Sequence, residues 1–424
     1  MTNARLTKLE EVQITKLVYG GRGLGELPNG KKIFVWNALP GELVSVRLIK
    51  SRRAYDEGIA EKIIKVSADR EILLEPTYLS TSPWQMMSFA AENRYKKDIT
   101  RELLLNQKVV VSSINGPTYD QRLWHYRNKM EYSFVDYENK IHLALHERSS
   151  HNLSVIGGSN LAIPALDMVA NNICILLSKT GVKAKDLKSV IVRCTQNKRL
   201  AASLFVLNKS FPYLELPKEL NGLRVHHSQP TSYNSVQTKK LYEVGDCTLE
   251  DELLNHKLIY DVDSFFQINL PVFELALERI KTYCQSTEIV DMYAGVGSIG
   301  LNVASSNVDL VELNPDMAVM ARKNAERLKV KALVIEASTD NALEYIVPNK
   351  TIIFDPPRSG LHAKIISKIL EVRPYRIAYL SCNPSTQARD LYWLQSAYNI
   401  TYFEVFNFFP RTPEIETLAI LDAK

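Results

Sequence analysis

The 424 residues, of which 46% are hydrophobic and 23% charged, are those of an ordinary globular protein with two or three domains. The formal net charge of +5 is too small to establish nucleic-acid binding by itself, although a local basic stripe can still supply it. The five cysteines are scattered and form no C-x-x-C pair, which argues against a disulfide scaffold or a zinc site. The sequence has neither a signal peptide nor an apolar run of membrane-spanning length, so we expect a cytoplasmic protein.

Residues 1–66 are predicted to form a small β-barrel. Short alternating apolar runs extend from about Lys8 to Val66. Turn signals at hairpin spacing separate them: Gly20-Gly21, Asn29-Gly30 and Pro40-Gly41. Basic residues cluster here and are candidate RNA contacts, with a solvated barrel face as the alternative: Lys31, Lys32, Arg47 and Arg52. The layout resembles the TRAM module, an OB-like barrel that binds RNA. We therefore expect this part to bind RNA without contributing to chemistry.

Residues 67–260 are predicted to contain a linker, a helix and a mixed α/β middle domain that contacts RNA. Residues 89–105 have helical spacing, with Ser88 as the N-cap. Strand-like patterns dominate from Val109 to about Tyr260. The clearest of them cover residues 124–134, 141–147, 189–195 and 200–207.

Residues 261–424 change to strands that alternate with helices, which predicts a Rossmann-like, doubly wound parallel sheet. Ligands of such sheets bind at the carboxyl ends of the strands. Each polar motif of this region follows a strand, so we expect the motifs to meet in one crevice.

A glycine-rich loop follows the first of these strands and includes Asp291, Gly295, Gly297 and Gly300. Its G-x-G-x-x-G pattern alone is shared by many nucleotide sites. The carboxylate of Asp291 could bind the cationic aminoacyl end of S-adenosylmethionine. The same carboxylate would repel the pyrophosphate of a dinucleotide. Glu312 ends the next strand, where an acid binds ribose hydroxyls. The loop therefore predicts S-adenosylmethionine as cofactor, with a dinucleotide as the alternative.

The segment Asp355-Pro356-Pro357-Arg358 follows a buried strand. Two prolines fix an extended turn that directs Asp355 into the crevice. Enzymes that methylate amines use a similar D/N-P-P motif but follow it with an aromatic residue. Arg358 stands there instead, which argues against amine methylation and makes Arg358 a candidate RNA contact.

Cys382 follows another strand, in Ser381-Cys382-Asn383-Pro384. Carbon 5 of uracil is a weak nucleophile, and addition of a thiolate to C6 makes C5 reactive enough to attack a sulfonium methyl group. The helix N-terminus beside Cys382 predicts a lowered pKa for its thiol. The chemistry also needs a base that removes the C5 proton. Glu416, which abuts the last strand, is the preferred base, and Glu414 is the reserve.

Taken together, these motifs resemble those of the RNA uracil-C5 methyltransferase family, which acts on 23S ribosomal RNA or on the T-loop of transfer RNA. The match covers nearly the whole chain. It is carried by YRNKMEYSF in the middle domain and by FFQIN, DMYAGVGS, DPPRSGL, SCNPST and FFPRTPEIE in a class I methyltransferase domain. The resemblance implies that Cys382 is the nucleophile and Glu416 the base. It implies a cofactor site lined by Gln267, Tyr293, Ser298, Glu312 and Asp355.

Two departures from the family pattern affect the interpretation. Many members carry a four-cysteine iron–sulfur cluster, but Ser82 and Ser159 stand where cysteines are expected, so we predict no cluster and no metal. The family also has a histidine two residues before the base, where this chain has Glu414, and two adjacent acids can share a proton.

Two alternatives remain beside a monomeric uracil-C5 RNA methyltransferase. A cytosine-C5 enzyme would carry a second cysteine where Pro357 and Arg358 stand. A non-catalytic RNA-binding protein would be expected to have lost Cys382, Glu416 or the glycine loop. The TRAM-like start and the stretch from Ser381 to Leu391 favour ribosomal RNA over tRNA, and the missing cluster argues slightly against it.

Overall fold

Within the part of the chain that the structure describes, a closed barrel and three β-sheets form the framework. The computed structural model describes residues 9–148, 150, 152–229, 238–284, 288–305 and 307–424. Residues 1–8, the start of the predicted barrel region, lie outside the described residues. None of the helices in these ranges has the length and apolarity that spanning a bilayer requires.

The predicted N-terminal barrel is confirmed. Its five strands close in the order β1-β2-β3-β5-β4. They are β1 Leu9–Leu17, β2 Gly23–Glu26, β3 Lys32–Trp36, β4 Leu43–Ser51 and β5 Tyr55–Lys65. In β4 the apolar residues Val44, Val46 and Leu48 alternate with exposed or half-exposed ones and fill the interior, as the period of two requires.

Two short elements flank the helix that the sequence predicts. α1 covers Tyr78–Thr81, α2 covers Phe89–Asn106 and β6 covers Asn115–Thr118. Ser88 caps α2, since its side chain accepts a hydrogen bond from the Ala91 N–H at 3.2 Å. α2 packs against the C-terminal part of the chain, and β6 extends a sheet there.

A seven-stranded sheet forms the middle of the chain, in the order β13-β12-β11-β10-β7-β8-β9. Its elements are β7 Lys129–Tyr137, β8 Lys140–His146, β9 Leu153–Val155, α3 Pro164–Lys179, β10 Leu187–Cys194, β11 Leu200–Val206, β12 Gly222–His227 and β13 Lys239–Gly245. The strand expected from residue 124 begins only at Lys129. The residues just before Lys129 form hydrogen bonds to the C-terminal part of the chain instead of pairing in the sheet. The Tyr126 hydroxyl donates to the Pro410 carbonyl at 3.0 Å, and the Asn128 amide donates to the Gln267 carbonyl at 3.2 Å.

A hairpin joins the middle sheet to the C-terminal part. Its strands are β14 Thr248–Leu253 and β15 His256–Asp261. The side-chain amide of Asn324 accepts from the Ile259 N–H at 2.8 Å and donates to the Ile259 carbonyl at 2.9 Å. The hairpin is therefore fixed to the helix that carries Asn324.

The C-terminal sheet has eight strands in the order β18-β17-β16-β19-β20-β22-β21-β6. Its strands are β16 Ile289–Asp291, β17 Val308–Glu312, β18 Ala332–Glu336, β19 Thr351–Phe354, β20 Arg376–Ser381, β21 Tyr398–Phe406 and β22 Glu416–Ala423. The helices are α4 Leu270–Cys284, α5 Gly300–Val303, α6 Pro315–Leu328, α7 Ala363–Val372 and α8 Pro384–Leu394. Strands β16 to β20 are parallel, as predicted, but β22 runs antiparallel to β20. The chain reverses in the loop of residues 407–415, between β21 and β22, which are antiparallel to each other.

Candidate active site

A crevice of about 920 Å³ opens where β16, β17, β19 and β20 end. Parallel sheets place loops and ligands at this edge. Most of the predicted site residues line it: Gln267, Tyr293, Gly295, Ser298, Glu312, Asp355, Arg358, Cys382 and Glu416. Asp291 and Gly297 lie outside its wall, as do the four basic residues of the barrel.

Two acids hold the glycine-rich loop. The Gly300 N–H donates to Oδ2 of Asp291 at 2.9 Å, and the Gly295 N–H donates to Oε2 of Glu312 at 2.8 Å. Gly295 and Gly297 have φ values of 57° and 87°, where a residue with a Cβ would be strained. The fully buried Asp291 does not face the crevice. Asp291 thus fixes the loop through Oδ2, while its buried Oδ1 has no hydrogen-bond partner among the described residues, and its contact with the cofactor stays a prediction.

Asp291 should make stability depend on pH. Burial raises its pKa to about 7. Between about pH 4 and pH 7 such an acid keeps its proton in the folded state and loses it in the unfolded state, so its contribution to the free energy of unfolding falls as pH rises. Asp291→Asn keeps an acceptor for Gly300 and removes the charge. We expect the variant to lose less stability than the wild type between pH 4.5 and pH 7.5, as measured by urea unfolding.

Asp316→Asn, on the exposed first turn of α6, is the control for that comparison, and its pH dependence should match the wild type. If the Asp291→Asn variant keeps the wild-type pH slope, Asp291 does not carry the raised pKa.

Cys382 and Glu416 meet because of the register between two strands. β20 and β22 are antiparallel, and Ser381 pairs with Thr417. Cys382 follows Ser381 and Glu416 precedes Thr417, so the two side chains lie next to each other in the crevice wall. Gln387 of α8 fixes this pair of strands, donating to the Tyr379 carbonyl at 2.9 Å and accepting from the Thr417 hydroxyl at 2.8 Å.

The predicted low pKa of Cys382 is wrong for this structure. Burial first, and then the nearby carboxyls of Glu416 and Asp355, raise the pKa of the thiol to about 12, and the Arg358 guanidinium only partly opposes them. Burial also raises the pKa of Glu416 and brings that of Asp355 to about 7. The helix N-terminus that follows Cys382 does not overcome burial among carboxyls.

Glu414 differs from Glu416 in its surroundings. Its Oε2 lies 2.8 Å from Nη2 of Arg358, in an ion pair across the mouth of the crevice. The side chain of Glu414 is 37% exposed and that of Arg358 68%. Glu416 is only 5% exposed. Glu414 is thus engaged by a cation at the crevice mouth, whereas Glu416 is buried next to Cys382, and the choice of Glu416 as the base stays a prediction.

A buried polar cluster on α2 holds the loop that leads to Glu416. Glu92 accepts from the Arg411 N–H at 3.0 Å and from the Asn407 amide at 2.8 Å. Lys96 donates to Oδ1 of Asn407 at 2.6 Å and to the Phe409 carbonyl at 3.1 Å. Glu92 and Lys96 are fully buried and lie 3.1 Å apart as an ion pair. Sequence reasoning missed this cluster, because its partners are more than 300 residues apart.

Arg127, Phe265 and Phe409 also line the crevice and were not singled out from the sequence. The Arg127 guanidinium lies 6.0 Å from the centre of the Phe409 ring. Phe265 is a large apolar side chain that is 61% exposed. Arg127 lies within YRNKMEYSF and Phe265 within FFQIN, so these motifs contained the signal for both.

Comparison with known proteins matches two family models. Residues 248–424 match the tRNA (uracil-5-)-methyltransferase model. Residues 7–60 match the TRAM domain, in agreement with the closed barrel. Residues 248–424 are thus similar to the RNA uracil-C5 methyltransferase family, and residues 7–60 to the TRAM domain.

Relatives from several bacteria match along the full length. An uncharacterized RNA methyltransferase of Fusobacterium nucleatum is 26% identical, over 99% of this chain and 97% of its own. One from Enterococcus faecalis is 29% identical, over 100% of both chains. The crystal structure of Pyrococcus abyssi tRNA (uracil-54, C5)-methyltransferase in complex with S-adenosyl-L-homocysteine has the same fold. It superposes with a TM-score of 0.77 at 21% identity, over 97% of this chain and 100% of that one.

Ser82 and Ser159, where the family resemblance predicts cluster cysteines, lie in a hydrogen-bond network. The hydroxyl of Ser82 donates to Oε1 of Glu75 at 2.9 Å and accepts from the Gln85 amide at 2.8 Å. Oε2 of Glu75 accepts from the Asn160 N–H at 3.4 Å, next to Ser159. Glu75 thus joins the α1 region to the middle domain through hydrogen bonds.

We predict that the protein binds no iron–sulfur cluster, because hydroxyls are poor iron ligands beside thiolates. Protein purified without oxygen should show no iron–sulfur absorbance and no stoichiometric iron. About four irons per chain, the content of a [4Fe–4S] cluster, would contradict this interpretation of Ser82 and Ser159.

The basic residues of the TRAM barrel lie apart from the crevice, and three of them have acidic partners. Lys31 is paired with Asp56, Lys32 with Glu26, and Arg47 with Glu61. Arg52 is exposed. Paired surface cations attract phosphate less than free ones do, so a role of these four residues in RNA binding remains a proposal.

Proposed function

We propose that this protein methylates carbon 5 of a uridine in structured RNA, with Cys382 as a covalent nucleophile and Glu416 as the base. The observation that carries the proposal is the pairing of Ser381 with Thr417, which sets Cys382 beside Glu416 in one crevice. Cys382 is the one cysteine among the crevice-lining residues that the structure describes. A cytosine-C5 enzyme of the two-cysteine type is therefore disfavoured.

The charge of the crevice fits S-adenosylmethionine. Five carboxyl groups line it against two guanidinium groups, with apolar side chains between them: Glu312, Asp340, Asp355, Glu414 and Glu416 against Arg127 and Arg358. This excess of carboxyl groups suits a cationic, partly apolar molecule better than a pyrophosphate. The cofactor would be held by five residues of this lining, of which Tyr293 and Ser298 belong to the loop that Asp291 fixes. The other three are Gln267, Glu312 and Asp355. When bound, S-adenosylmethionine supplies an electrophilic methyl group on a positively charged sulfur.

The residues of the chain carry out the other steps. The Cys382 thiol gives its proton to solvent water, and the Arg358 guanidinium favours the resulting thiolate. The Cys382 sulfur bonds to C6 of the uracil, and the electron pair of the C5–C6 double bond makes C5 nucleophilic toward the methyl group. Glu416 then accepts the C5 proton, the double bond re-forms and the C6–S bond breaks.

Ribosomal RNA is the substrate class that we favour, on the basis of the N-terminal barrel and the stretch from Ser381 to Leu391. The Pyrococcus abyssi enzyme is named for uracil-54 of tRNA, which makes tRNA the second candidate. Mass mapping of 5-methyluridine in total RNA from a strain that lacks the gene tests both. We expect loss of one or more sites in 23S RNA. Loss confined to tRNA would move the substrate to tRNA, and no loss would contradict the activity.

A further inference from the structure

A turn of the N-terminal barrel contacts the loop that carries the proposed base. The turn connects β1 to β2 and is closed by hydrogen bonds between Val18 and Arg22, at 3.0 Å, and between Gly21 and Val18, at 3.0 Å. Gly21 lies against the ring of Pro413 so closely that any Cβ at position 21 would overlap it. The barrel is thus fitted to the segment that immediately precedes Glu414 and Glu416.

Trp84 fixes both sides of this contact. Its indole N–H donates to the Gly21 carbonyl at 3.1 Å, and its backbone N–H donates to the Arg411 carbonyl at 3.0 Å. Trp84 is fully buried, so the two bonds are shielded from water. The turn therefore has a defined place at the mouth of the crevice.

Tyr19 lies in this turn two residues before Gly21, half-buried against the hydrophobic core that contains Trp84 and Ile415. Its phenol is close enough to Cys382, Glu416, Glu414 and Arg358 to sense the charge of each. Burial and the nearby acids raise its pKa to about 12, so the hydroxyl stays protonated and acts as a hydrogen-bond donor. Among the described residues, no group forms a hydrogen bond with this hydroxyl. A partly buried donor beside the nucleophile is thus left for a ligand.

We propose that Tyr19 contacts the substrate, with its hydroxyl donating a hydrogen bond to an oxygen of the nucleotide held at Cys382. The inference rests on the proposed function and extends it, because it makes the barrel part of the catalytic crevice. It also revises the expectation that the barrel binds RNA without contributing to chemistry. Base carbonyls and phosphate oxygens are both acceptors of the required kind.

Tyr19→Phe removes the donor and keeps the ring. We expect kcat/KM for RNA to fall about three- to tenfold, the loss typical of one hydrogen bond. The affinity for S-adenosylhomocysteine and the thermal unfolding temperature should not change. The loss should be the same with the shortest hairpin that is methylated as with a long RNA, because the contact is at the target nucleotide.

Tyr55→Phe is the matched control, since Tyr55 lies in β5 of the same barrel with its ring 5.2 Å from that of Phe34. It should leave kcat/KM unchanged. A methylphosphonate beside the target uridine identifies the acceptor: a second, additive loss in Tyr19→Phe indicates a base carbonyl, and no further loss indicates the phosphate.

The inference is overturned if Tyr19→Phe retains wild-type kcat/KM, or if Tyr55→Phe loses as much. Both outcomes require an active wild-type protein. A wild type that forms no 5-methyluridine in any RNA would instead contradict the proposed function itself.

Discussion

Cys382→Ala should abolish methyl transfer to RNA, with a loss of at least about 10⁴-fold, because Cys382 is the one thiol among the described residues that line the crevice. The side chain lies at the crevice wall, and replacing it with alanine leaves the glycine loop and its supporting acids intact. Binding of S-adenosylhomocysteine, measured by calorimetry, should therefore be retained. Transfer of a radioactive methyl group to RNA measures the loss of activity.

Cys174→Ala is the matched control for this variant. Cys174 is buried within α3 of the middle domain, outside the crevice, and its replacement should leave methyl transfer close to that of the wild type. Substantial activity in Cys382→Ala would mean that the methyl group is transferred without a covalent enzyme–RNA intermediate.

Glu416→Gln should stop the reaction at a later point. Burial raises the pKa of Glu416, which makes its carboxylate a stronger base for the C5 proton. Glutamine has the same shape but cannot take the proton. The variant should add Cys382 to the RNA and transfer the methyl group, and then fail to release the product. We expect turnover to fall about 10²- to 10⁴-fold, while a covalent complex with unmodified RNA accumulates on denaturing gels.

Glu414→Gln separates the two adjacent acids. It breaks the ion pair with Arg358 at the crevice mouth but leaves Glu416 in place. RNA binding should strengthen modestly, because the Arg358 guanidinium is freed, and no covalent complex should accumulate. Accumulation in Glu414→Gln rather than in Glu416→Gln would assign the base to Glu414. Normal turnover in both variants would place the base elsewhere.

Local patterns in the sequence were sufficient to predict the barrel, the capped helix α2 and the parallel strands. Each of these depends on alternation, turn residues or a cap within a few positions, as at Ser88. The antiparallel strand β22 and the packing of α2 and β6 onto the C-terminal sheet were not predictable in this way. They depend on pairing between segments that are far apart in the chain.

In the candidate site, too, local patterns predicted some features, whereas those that depend on distant segments were missed. Strand ends indicated that Glu312, Asp355 and Cys382 would meet, and all three line the crevice. The pKa of Cys382 was predicted in the wrong direction, because the sequence shows the following helix but not the burial or the carboxyls of Glu416 and Asp355. The sequence did not show that Oδ2 of Asp291 accepts from the Gly300 N–H, a contact that depends on the folded loop.

The most direct test of the central proposal is intact-mass analysis of the wild-type protein after incubation with S-adenosylmethionine and a short RNA that contains 5-fluorouridine at the target position. Fluorine at C5 cannot leave as a proton does, so the reaction should stop after methyl transfer. We predict one species with the combined mass of protein, RNA and one methyl group, and peptide mapping should place the bond on Cys382. Absence of this adduct, or its attachment to another residue, would contradict covalent catalysis by Cys382.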